Sequence, residues 1–340
     1  MKYLIVFSLL FSVAFADQPS ELTRPPSQEI TPKAQPLVKN GVTEPYVTTD
    51  FIYWKAREDG LEYLITGTGS VTRPSQTKGK IYQPDFDGHV GFKVGLGLNI
   101  GHDGWDVYLQ NTWLDADESD WFQGDFAREL IGEPFLVGGV THASVDWDFH
   151  IRVLDLEWGR HFYISPFLLL RPFFGLKGFW SDQDYKAKVI GFSNANRTET
   201  GRNTSHFDED SWGIGIRAGV QTSWSFTRNF SLFGNLALAT EWCRFHLKLK
   251  QTAFFDETNA STVLVNLNNH QYEMIPVLEL ALGLRWEMWW AQDSYHVMLQ
   301  WGCEEQMWWN YARSFENFNV LSTGNDLNFQ GLTVRARFDF

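Results

Sequence analysis

One pattern constrains this chain more than any other: from residue 46 to the final Phe340, stretches of ten or more residues alternate apolar with polar or small side chains. From Val90 the even positions are Val90, Phe92, Val94, Leu96, Leu98 and Ile100, opposite Gly91, Lys93, Gly95, Gly97 and Asn99. From Trp105 the odd positions take over, with Trp105, Val107, Leu109 and Trp113 opposite Asp106, Tyr108, Gln110 and Thr112. The pattern returns in 168–180, 212–224, 278–290 and 295–303, and the ending GLTVRARFDF closes it on an aromatic ring. Apolar residues at every second position scatter around a helix but share one face of a strand. The sequence therefore predicts long β-strands. Two segments, 145–158 and 232–249, change phase midway, at Val153-Leu154 and near Arg244. A β-bulge at each would restore the facing.

The connections alternate as well. Those at 101–104, 161–166, 225–229 and 291–294 are short, while 58–87, 115–142, 181–210, 250–271 and 310–326 are long. With a first strand at 46–57, this predicts an all-β, up-and-down antiparallel barrel of about ten strands, or twelve if short strands hide in 58–87 or 115–142. Short turns on one side, long loops on the other and an apolar band outward define an outer-membrane barrel. Trp212 and Trp224 share a face twelve residues apart, roughly 30 Å along the membrane normal for a strand tilted by ~40°. Trp105, Trp113, Trp180, Trp212, Trp224, Trp286 and Trp290 are thus expected in girdles at the two interfaces.

The amino terminus fits an exported protein. Residues 1–16 combine Lys2, an apolar run from Leu4 to Val13, and Ala14-Phe15-Ala16 as a cleavage site. Residues 17–45 hold six of the twelve prolines and read as a periplasmic linker that cannot bury a core; the barrel is expected over 46–340. No later stretch is long and apolar enough for a membrane helix, so a membrane span must be made of strands. A net charge of −13 excludes nucleic acid as a partner, since phosphates need a basic footprint. The expected partners are outer-membrane lipid, the barrel-assembly machinery and, through the outer loops, a host-cell surface.

Inside the barrel the same parity places Lys93, Arg171, Lys177, Arg217, Glu279, Arg285, Glu287, Arg335 and Arg337 as candidate pore-lining residues, with Lys55, Arg57, His89, Asp148, His150 and Arg152 in the same inward set. Such charges either pair into a network that fills a small barrel or line a wet path for small anions. Gly95, Gly97, Gly213, Gly215 and Gly219 are expected to let the sheet curl and leave room in the lumen. Phe338 and Phe340 resemble the terminal signal that barrel-assembly machinery reads.

No enzyme is indicated. H-E-x-x-H, C-x-x-C and G-x-S-x-G are absent from the sequence, and only His142 with Asp146 forms a close rim pair of the kind a hydrolase would need. The acidic run DADESDWFQGD at 115–125 lacks EF-hand spacing, so neither a metal nor a cofactor is implied. Cys243 and Cys303 fall two strands apart, which does not favour a disulfide. A barrel that displays loops bearing Trp121, Phe122, Phe135, Phe254 and Phe255 would instead serve as an adhesin.

Several strands together carry a resemblance: DFIYWKAREDGLEY (50–63), HDGWDVYLQNTW (102–113), VLDLEWGRHFYIS (153–165), LRPFFGLKGFWSDQDY (170–185), LELALGLRWE (278–287) and QGLTVRARFDF (330–340). The chain resembles the major outer membrane protein-like family of chlamydia-related bacteria from about residue 48 onward. That resemblance implies a porin-like surface barrel with roles in solute passage, envelope structure or host contact. With two cysteines, this chain departs from the cysteine-rich, cross-linked chlamydial pattern.

Overall fold

The computed structural model describes residues 43–66, 79–101, 103–130, 136, 139–193, 196–290, 295–312 and 325–340. The expected signal segment, almost all of the linker, and Phe135 lie outside the described residues.

Ten long strands close into one antiparallel ring. In chain order they are β1 (Glu44–Glu58), β4 (Gly88–Asn99), β5 (Trp105–Glu129), β6 (Gly139–Arg160), β8 (Leu168–Phe192), β9 (Thr200–Ser225), β10 (Phe230–Phe255), β11 (Ala260–Trp290), β12 (Tyr295–Ala312) and β13 (Asn325–Asp339). Three short strands stand outside the ring: β2 (Leu64–Thr66), β3 (Ile81–Tyr82) and β7 (Phe162–Tyr163). β2 bridges β3 and the far end of β5, and β7 pairs with the start of β8. Hidden short strands therefore exist in 58–87, but they do not raise the ring count to twelve. Closure comes from β1 against β13, where Tyr46 faces Asp339 and Phe51 faces Val334. Every strand of the ring thus has two neighbours, as an apolar solvent requires of backbone N–H and C=O groups.

The strands run much farther than expected. β11 has 31 residues, about three times the ~10 residues that cross a bilayer. Most of 115–142, 181–210 and 250–271, expected as long loops, is paired strand. The expected bulges at Val153-Leu154 and near Arg244 are also absent from the register: Thr112 faces Val153, Asn111 faces Leu154, and pairing runs unbroken through Arg244 opposite Trp212 and Tyr272. Register shifts occur instead near the outer ends, for example between Gln251 and Thr252.

One physical change accounts for both differences. Towards the short turns, the outward side chains are apolar, such as Phe174, Leu176, Ile214, Ile216 and Leu238, while Asp106, Glu157, Lys177 and Glu279 point in. Beyond Trp113, Trp180, Trp212 and Trp242 the faces exchange character. Asp115, Asp182, Asp210 and His246 now point out, and Phe149, Trp147, Phe179, Phe245 and Leu247 point in and are buried. The strand itself continues without a break. Its outer solvent changes from lipid to water, so the apolar set moves to the inside, and this exchange is what the sequence shows as a change of phase.

Candidate functional site: the filled lumen

The interior has two storeys. Nearest the short turns lies a network of charges. Arg171 on β8 donates Nη2 to Asp106 at 2.7 Å and Nη1 to Glu157 at 2.7 Å. Arg217 on β9 joins Glu157 to Glu279, donating Nε to Glu279 at 3.1 Å. Lys177 lies 2.9 Å from Glu279 and 3.1 Å from Asp155. Acid and base thus alternate from Asp106 to Asp155 across β5, β6, β8, β9 and β11. On the closing side, Arg335 grips Asp50 at 2.7 Å, Arg337 pairs with Asp339, and His296 meets Asp339 at 2.7 Å. Lys93 donates to Glu304 at 2.6 Å and lies over the Trp54 ring. Arg285 bonds Gln300 and sits 3.5 Å from Glu287. All nine expected lumen residues therefore lie inside the barrel, each beside a polar or oppositely charged partner. Charges in such surroundings must be paired, or burial is costly.

Above that network the lumen is aromatic. Phe179 of β8 meets Trp308 of β12 with ring centroids 5.0 Å apart, and Phe149 of β6 meets Phe329 of β13 at 6.0 Å. Each pair joins strands four places apart in the ring of ten. Trp147, Phe245 and Tyr311 complete the layer, and Tyr311 bonds Ser181 and Ser211 on the opposite wall. The chain after β1 also turns inward, burying Leu61, Tyr63 and Leu64, and Tyr185 donates to the carbonyl of Leu61 at 3.2 Å.

The glycines fit this filling. Any Cβ on Gly97 would collide with the Tyr46 ring, and one on Gly95 with Tyr108 and Thr48. The space they leave is occupied by neighbouring side chains rather than kept open, contrary to the expectation of lumen room at these two positions. Among the described residues, open space includes a vestibule of about 130 Å³ at the short-turn end, bounded by Arg285, Arg335 and Arg337, and a gap of about 50 Å³ beside Lys93 and Arg217.

Other expected residues are placed differently. Lys55, Arg57, Asp148, His150 and Arg152 alternate with buried neighbours and face outward. A charged side chain marks the lumen only below the level where the faces exchange; above it, charge marks the outer, wet face. Among the girdle residues, Trp180, Trp212, Trp224 and Trp290 are exposed on the outer face, and Trp105, Trp113 and Trp286 are partly exposed beside them. Trp158 and Trp242 belong with them; their signal lay in the two segments that change phase. Phe340 is exposed and stacks on Phe338, which in turn stacks on Tyr295. His142 and Asp146 sit four residues apart on β6, and the His142 ring bonds Thr141. The run 115–125 lies within β5, so Asp117 turns out while Glu118 turns in to bond His89. Cys243 is buried and Cys303 exposed, and no disulfide joins them.

A closed ring with an apolar outer band, girdles of tryptophan and a charged interior defines an outer-membrane β-barrel protein. The family model described as Legionella pneumophila major outer membrane protein precursor matches residues 43–340. The chain belongs to that family, and its place is the outer membrane. No curated relative matches the sequence. Among solved structures, the outer membrane protease OmpT of Escherichia coli is similar at 8% identity and a TM-score of 0.39, over 87% of this chain and 96% of that one. Ail, the attachment invasion locus protein of Yersinia pestis, gives 10% and 0.25 over 89% and 100%. The toluene transporter TodX of Pseudomonas putida gives 10% and 0.27 over 91% and 92%. Similarities this distant carry no functional argument.

Proposed function

We propose that this protein is a structural barrel of the outer membrane, closed to bulk diffusion, that carries a folded extension above the membrane surface. The carrying observation is the aromatic layer: Phe179–Trp308 and Phe149–Phe329 contacts reach from wall to wall. The paired charges beneath support the same reading, because a network in which each guanidinium is held by carboxylates braces the wall and offers little free charge to a passing ion. Planar-bilayer recordings of the folded protein test it. The expected result is no discrete conductance steps; regular steps would overturn closure and favour the narrow porin.

The role is non-enzymatic, export uses the amino-terminal segment 1–16, and assembly machinery and outer-leaflet lipid are the partners. The resemblance of its strand motifs to the major outer membrane protein-like family of chlamydia-related bacteria agrees with an envelope role. The adhesin reading draws support from Trp121, which is 71% exposed at the outer end. It is weakened by Phe122, which is buried, and by Phe254, which lies under Arg202. Loss of host-cell binding on exchanging the β5–β6 hairpin tip would restore it.

A further inference from the structure

We propose that the outer face of β6 to β10 binds a phosphorylated glycolipid headgroup of the outer leaflet, with Arg152 and Arg244 as its phosphate ligands. Cross-strand pairing sets Arg152 beside Trp180, Trp180 beside Trp212, and Trp212 beside Arg244. One outward row therefore reads Arg, Trp, Trp, Arg. Its ends stand three strand spacings apart, about 14 Å. The row lies along a groove of about 940 Å³, at the level where the outer face changes from apolar to polar. Leu154 and Ile214 lie on the lipid side of it.

Charge within the groove is unevenly satisfied. On the next row outward, Asp115 holds His150 at 2.9 Å and Asp210 holds His246 at 3.4 Å. Lys248 spans Asp208 and Asp210 at 2.8 and 3.5 Å. Two of the three acids that line the groove, Asp115 and Asp210, are thus engaged by their own row. Arg152 and Arg244 have no ion pair among the described residues, and the Nε of Arg244 is sheltered without an acceptor. In a chain of net charge −13, two guanidiniums without carboxylates at this depth call for an anion from outside.

The location selects the anion. A guanidinium binds phosphate through a planar fork, and indole rings favour the headgroup level, offering an apolar plate and one N–H donor. The groove is continuous with the lipid-facing band, so the phosphate it meets is one attached to acyl chains. Two cations about 14 Å apart, with two indole plates between them, suit a sugar headgroup bearing phosphate at both ends.

The test uses the full folded protein in detergent, with bis-phosphorylated lipid A and its dephosphorylated form as probes, read by native mass spectrometry. Wild-type protein should retain the phosphorylated lipid preferentially. The R152Q/R244Q variant should bind it about tenfold more weakly, as expected for loss of charge-assisted contacts, and should no longer distinguish the two lipids. The K55Q/R57Q variant, which removes two outward cations on β1, should bind as wild type does. Gel mobility of unheated samples checks that each variant is folded. Equal retention by wild type and R152Q/R244Q would overturn the site, as would an equal loss in K55Q/R57Q or displacement of the lipid by inorganic phosphate at matching concentration.

Discussion

Phe179 and Trp308 touch edge to face in the middle of the barrel, although their strands stand four places apart around a ring of ten. Their contact makes the interior a packed core. Truncating either aromatic should leave a cavity and cost about 3–5 kcal/mol. We expect Trp308→Ala to lower the unfolding free energy from urea titrations by that order, and the double variant Phe179→Ala/Trp308→Ala to show conductance steps that the native barrel lacks.

Arg217 holds Glu157 and Glu279 at once, inside the wall. Removing it leaves Glu157 to Arg171 alone and Glu279 to Lys177 alone, so the network loses one of three cations in a poorly solvated place, where breaking a buried pair costs roughly 3–5 kcal/mol. Arg217→Met should therefore destabilise strongly. Lys248→Met, at a pair on the wet outer face, should change stability by less than about 1 kcal/mol. Equal effects in equilibrium urea unfolding would show that the network does not brace the barrel.

Glu241 on β10 is fully buried, and neither of its carboxyl oxygens meets a hydrogen-bond donor. An unsatisfied buried polar group costs about 1–3 kcal/mol. Replacing it with leucine, of similar volume, should raise stability by that order. A lower unfolding midpoint for Glu241→Leu would mean that this carboxylate contributes through Lys177 at long range.

His161 lies in the turn between β6 and β7, its Nδ1 3.4 Å from the carbonyl of Gly104. Burial, with Arg171 and Arg337 nearby, pushes its pKa down from 6.5 to about 4 despite the opposing field of Asp106. Between those values the unfolded chain binds more protons than the folded one, so stability is full above the higher value and falls with pH through the lower. The melting temperature should fall from pH 6.5 towards 4, and His161→Gln should flatten that part of the profile. An unchanged slope in the variant would exclude the histidine as its source.

Phe340 contributes little burial of its own, being half exposed. Deleting it should impair insertion into the outer membrane more than it lowers the melting temperature of barrel already folded. Surface labelling in cells and thermal melts of purified protein separate the two effects.

Ten strands and four short turns were legible because alternation over Val90–Ile100 or Trp105–Trp113 depends only on neighbours in the chain. Which solvent each face meets was not. Arg152 and Lys177 both alternate with apolar residues, yet one points to the outer groove and the other into the lumen, and nothing within five residues of either says which. Lumen partners were equally hidden. Arg217 finds Glu279 through the tilt and stagger of the closed ring, a property of the whole sheet. The residue types of the network could be read from the sequence, but not who holds whom.

The exchange of faces beyond Trp113, Trp180 and Trp212 also acts as a waterline. Sinking the barrel by one residue pair would press Asp182 and Asp210 towards hydrocarbon, while lifting it would bring Leu176 and Ile214 towards water. Immersion depth is thus written into the strands from both directions. The outer extension rides at a fixed height above the lipid, with no anchor needed beyond the walls of the barrel.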